Sequence, residues 1–69
     1  LYREGTGREA QEGLALATRT YGEHLAVLGS ATDARDALRL ARAMYDALGD
    51  PSAVAGIDAD LAKVAEFAR

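Results

Sequence analysis

The chain has no cysteine and no tryptophan, one histidine, one proline and four aromatic residues among 69. Without cysteine, neither a disulfide nor a thiolate metal site can form. A single histidine rules out multi-histidine sites. Small chains normally lean on such staples. A chain this short buries only about 60% of its unfolded surface, and its core alone supplies about 3–5 kcal/mol. β-Branched aliphatics are also scarce: Val and Ile together number four, against 16 Ala and 9 Leu. That balance favours helix over strand. No run of about 18 apolar residues occurs, so no bilayer span is expected. The net charge is −3, which lacks the basic footprint of a nucleic-acid binder and does not suit an anionic membrane surface. Leu1 to Gly5 has neither signal-peptide character nor an initiator Met, and reads as a flexible lead-in to a fragment or processed form. The lack of cysteine fits a reducing, cytoplasmic location.

What is present is punctuation for three helices over residues 6–69, one domain. Thr6 and Glu9 make a capping box. Ala10, Leu14, Ala17, Tyr21, Leu25 and Leu28 follow at helical spacing, and Gly29 closes the helix. Ser30 and Asp33 repeat the cap pattern, with Thr32 in competition. Ala34, Ala37, Leu38, Ala41, Met44 or Tyr45, and Leu48 then form the second stripe, ended by Gly49. Asp50-Pro51 supplies an N-cap and a first-turn proline. The third stripe is Val54, Ile57, Leu61, Val64 and Ala68. Helices of about 22, 18 and 18 residues joined by such short links predict an all-α fold of three antiparallel helices. Leu25, Leu38, Tyr45, Leu61 and Phe67 are the expected core or contact residues. Arg8–Glu12, Arg19–Glu23, Arg42–Asp46 and Asp60–Lys63 are spaced as surface ion pairs.

Tyr21-Gly22 and Leu25 are echoed 40 positions later by Leu61-Ala62 and Ala65. A mid-helix glycine costs about 1 kcal/mol relative to alanine, and close approach of a neighbouring backbone would offset that cost. From Thr18 to Ala65 the chain resembles the tetratricopeptide repeat family in its longer-period form. Gly22 matches the small residue of a first helix, and Gly29 the turn. Ala34, Leu38 and Ala41 match the second helix, and Leu48-Gly49-Asp50 the passage into the next unit. Thr18 and Leu25 depart from the family's bulky and Tyr preferences. The resemblance implies helix pairs, about one and a half repeats of them, that bind other proteins. Ala-rich segments broken by Leu28-Gly29-Ser30-Ala31-Thr32-Asp33 also resemble phasins, which would imply an amphipathic surface coat.

Catalytic chemistry finds little support. His24 has no nucleophile or orienting group in a recognisable pattern and reads as a boundary residue. The acids Asp58, Asp60 and Glu66, or Asp33 and Asp36, lack calcium-loop spacing. Gly5-Thr6-Gly7 lacks the Lys-Ser/Thr of a phosphate loop. The expected role is therefore a non-catalytic protein-interaction or self-association module, without cofactor or metal, and an enzyme is not expected. Its partner would be another protein or a second copy, as a homo-oligomer or as part of a longer regulatory or scaffolding protein. Candidate contacts are Arg35, Arg39 and Arg42, whose shared helix side suits carboxylates, and the bulky Met44, Tyr45 and Phe67. Leu16 and Leu40 are expected on second faces beside them.

Overall fold

In the computed structural model, the backbone is described for residues 4–67 and the side chains for residues 7–66. The chain forms α1 (Glu4–Val27), α2 (Ala31–Leu48) and α3 (Pro51–Phe67). α1 already includes Glu4 and Gly5, so the helix starts before the expected cap at Thr6. Leu1 to Arg3 and Ala68 lie outside the described residues.

The two links are built alike. Gly29 and Gly49 take left-handed backbone angles, φ 84° and 73°, which glycine adopts without a Cβ penalty. The Gly49 amide donates to Asp46 O and the Asp50 amide to Tyr45 O, each at 3.0 Å. Gly29 and Ser30 donate to Ala26 O and Leu25 O in the same pattern. These are Schellman closures, which satisfy the last carbonyls of a helix. Asp50 caps α3 as expected, its Oδ1 accepting from the Ala53 amide at 3.2 Å. Ser30 holds the N-cap position of α2, yet its side chain makes no capping bond.

α2 is the central element. It packs on both neighbours, whereas α1 and α3 touch little. Its stripe Ala34, Leu38, Ala41, Tyr45 and Leu48 is buried throughout, joined by Ala15 of α1 and by Ile57 and Val64 of α3. Leu25, Val54 and Leu61 pack against the margin. The expected α2 stripe therefore faces inward apart from half-buried Ala37, with Tyr45 rather than Met44 buried, and so do Val54, Ile57, Leu61 and Val64 of α3. Tyr45 is 8% exposed, so it is a core residue and is not offered to a partner.

The α1 stripe is a correction. Its inward residues are Ala15 and Gly22, while Leu14, Tyr21 and Leu28 are exposed. The helix is turned by about one residue, about 100°. The cause is the shape of α2. Leu38 is a large knob and needs a shallow seat, which Gly22 provides. A Cβ at Gly22 would stand 2.9 Å from Leu38 Cγ and 3.3 Å from the Ala34 carbonyl oxygen. The expected close approach at Gly22 is thus present. Its echo, Ala62, is exposed on α3.

Beyond its packing on α2, α1 makes polar ties to both other helices. Arg8 Nη2 donates to Leu48 O at 2.7 Å, placing a cation at the negative end of α2. Arg19 Nη2 lies 3.1 Å from Asp60 Oδ2 across to α3, with both side chains only about a quarter exposed. Arg19 also reaches Glu23 at 3.4 Å, and Arg8 reaches Glu12 at 3.0 Å, both as spaced. Asp60 therefore pairs with Arg19 rather than Lys63. A double-mutant cycle on Arg19 and Asp60 is expected to give a coupling of about 1 kcal/mol, and the more exposed Arg8–Glu12 cycle only about 0.3 kcal/mol. Equal couplings would show that the α1–α3 pair gains nothing from its partial burial.

Candidate functional site: an apolar groove between α1 and α2

Turning its small side inward leaves α1 with large side chains outward. Among the described residues, Leu14, Leu16, Tyr21, Val27, Leu28 and Leu40 are large, apolar and more than half exposed. These are six, against five large apolar side chains in the core: Leu38, Tyr45, Leu48, Ile57 and Val64. Single exposed leucines are ordinary, but contiguous ones mark contact surfaces.

Three of them, Leu14, Tyr21 and Leu40, line one seam. Ala17, Thr18, Tyr21 and Leu25 of α1 face Asp33, Asp36, Ala37 and Leu40 of α2 across a concavity. Farther along, Gln11 and Leu14 face Met44, Ala47 and Leu48 across a second one. The two concavities share a line. Residues 14, 18, 21 and 25 of α1 step by three or four, as do 33, 37, 40, 44 and 48 of α2. The eleven steps from Leu14 to Leu25 of α1 give the groove a length of about 16 Å at 1.5 Å per residue.

α3 covers the other side. Arg42 points to α3, its Nε 2.6 Å from Asp58 Oδ1. Leu40 is two residues away and so projects about 160° from it around α2. The α1–α2 pair is therefore a layer with α3 on one face and an uncovered apolar groove on the other. The groove floor is shaped partly by Thr18, whose hydroxyl donates back to the Leu14 carbonyl at 2.7 Å. That bond satisfies the hydroxyl hydrogen on the helix's own backbone.

The predicted arginine stripe is divided by the structure. Arg42 is committed to α3: its expected partner was Asp46, but two guanidinium nitrogens donate to Asp58 at 2.6 and 3.4 Å. The Asp58 hydrogen bond, then its charge, holds the Arg42 guanidinium above its ordinary pKa. Arg35 and Arg39 are exposed and lie on the side of α2 away from the groove. Met44 is half-buried at the groove's far end. Leu16 and Leu40 are exposed as expected, but only Leu40 joins the groove. The Phe67 side chain lies outside the described residues. His24 is exposed. Among the described residues, no group of three His, Cys, Asp or Glu could hold a metal, and no helix is long and apolar enough to cross a membrane.

Sequence reasoning missed Leu14 and Tyr21 as surface residues and Asp33 and Asp36 as groove residues. The stripe of α1 was legible, but two sides of that helix are apolar. The available signal was the glycine: the side carrying Gly22 is the one that can meet another helix closely. Asp36 shares a side of α2 with Leu40, four positions on, which could have placed it at the groove. No family model, characterised protein or solved structure matches the chain.

Proposed function

We propose that the chain is a non-catalytic protein-interaction module, a tetratricopeptide-like helix-pair unit that receives an apolar segment in the groove between α1 and α2. The observation that carries this reading is the large apolar surface of Leu14, Tyr21 and Leu40 left on the face opposite α3. The tetratricopeptide likeness is supported by Gly22 seated on Leu38 and Ala34, and by burial of Ala34, Leu38 and Ala41 along α2. A groove of this length accommodates about three turns of a partner helix, the recognition mode in which apolar anchors repeat every three or four residues. The lining offers no converging nucleophile, base and orienting group of the kind that catalysis needs.

The test is selection from a displayed library of random peptides, with Tyr21→Glu/Leu40→Glu as the control protein. Both residues are more than half exposed, so the double variant is expected to keep its melting midpoint, with a stability change of about 0.5 kcal/mol or less per site. Selected peptides are expected to bind the parent chain and not the folded double variant. Failure to select any binder, together with sedimentation as a monomer across the accessible concentration range, would overturn the reading.

A further inference from the structure

The charged residues that line the groove are all acidic. Asp33 and Asp36 sit at the end formed by the later part of α1 and the start of α2. Neither makes a side-chain hydrogen bond or ion pair among the described residues. No Arg or Lys lines either concavity of the groove. Resting on the interaction reading above, we infer that the groove's partner is an amphipathic helix carrying apolar anchors along one side and Lys or Arg at one end, seated so that its cations meet Asp33 and Asp36.

The alternative occupant, a second copy of the chain, fits less well. Groove-to-groove pairing would cover carboxylates with no base opposite them, and covering unpaired charges is unfavourable. Elsewhere on the chain, Arg8, Arg19 and Arg42 are already paired with Glu12, Asp60 and Asp58. Arg35 and Arg39 are exposed, but their side of α2 carries Thr32, Ala43 and Asp46 and no large apolar anchor. Lys63 is exposed on α3, but no large apolar side chain of α3 is exposed beside it. Among the described residues, a second copy can therefore bring apolar surface or cations to the groove, but not both in one helix face. A partner helix with both satisfies the leucines and the carboxylates at once, and the charged end fixes its direction along the groove.

The experiment uses two synthetic peptides of about 16 residues, roughly four turns, with the same leucine stripe. One ends in a pair of lysines and the other in a pair of glutamates. Binding of each to the whole chain is measured by calorimetry at low and at high salt. The lysine peptide is expected to bind about tenfold more tightly than the glutamate peptide, with the gap narrowing in high salt. The variant Asp33→Lys/Asp36→Lys is expected to reverse the order. Equal binding of both peptides, abolished by Tyr21→Glu/Leu40→Glu, would overturn the charge assignment while leaving the interaction module standing. Binding of neither peptide would overturn it too, and the display selection then decides the module separately. A dimer seen by sedimentation without peptide, and dissolved by Leu40→Glu, would make the occupant a second copy and likewise overturn the inference.

Discussion

Leu38→Ala is expected to abolish the cooperative unfolding transition of this chain near room temperature. Leu38 is 1% exposed and is one of the two largest fully buried side chains, with Ile57. It stands where the helices meet, bordered by Glu23 and Ala26 of α1 and by Asp60 and Val64 of α3. Truncating a buried leucine to alanine costs about 2–5 kcal/mol, the larger values where the surroundings cannot collapse into the space. Collapse is hindered here because much of the surrounding core is already alanine: Ala15, Ala34 and Ala41 carry only a methyl group, which cannot swing inward. A chain of this size has about 3–5 kcal/mol in total, so the loss is comparable with the whole. Urea titration followed by far-ultraviolet circular dichroism checks the result. A loss below about 1 kcal/mol would contradict the placement of Leu38 at the centre of the core.

Gly22→Ala is expected to destabilise the chain although it improves helix propensity. Propensity alone predicts a gain of about 1 kcal/mol. The new methyl group, however, would stand 2.9 Å from Leu38 Cγ and 3.3 Å from a backbone oxygen. Cγ is the branch point of a fully buried side chain, so it cannot rotate clear, and the carbonyl belongs to α2 itself. Relief requires α1 and α2 to separate, and overpacking of this kind costs about 1–3 kcal/mol. The internal control is Gly13→Ala on the same helix. Nothing lies within 4 Å of a Cβ at Gly13, so that change is expected to stabilise by about 0.5–1 kcal/mol. Thermal melts should therefore move in opposite directions, by several degrees each in a domain this small. A stabilising Gly22→Ala would mean that α1 meets α2 through some other residue.

These two residues also show how far the sequence could be read. The α2 stripe through Leu38 was legible because its opposite side carries Arg35, Asp36 and Arg39, so only one side of the helix can face a core. The caps at Gly29, Gly49 and Asp50 were legible because each residue type serves one backbone need. α1 was not legible in rotation. Leu14, Tyr21 and Leu25 make a better apolar stripe than Ala15 and Gly22, yet the smaller side faces α2 because shape complementarity to Leu38 outweighs apolar area. The ion pairs divided in the same way. Arg8–Glu12 and Arg19–Glu23 follow from spacing along one helix. Arg19–Asp60 and Arg42–Asp58 depend on how α3 lies, which no local spacing encodes. The groove was legible only as an excess of bulky residues, since its two walls come from different helices and its carboxylates read equally well as a cap acid and a solvated charge.

The rotation of α1 has a consequence for how this chain can vary. Ala15 and Gly22 hold the helix to α2, while the exposed Leu14 and Tyr21 face the groove, so at these positions the two duties fall on separate residues. Replacements at the exposed groove positions Leu14, Tyr21 and Leu40 alter what is recognised and leave the seat of Leu38 untouched. Partner preference can therefore drift, or be re-engineered, one residue at a time on a scaffold whose folding is insulated from the change.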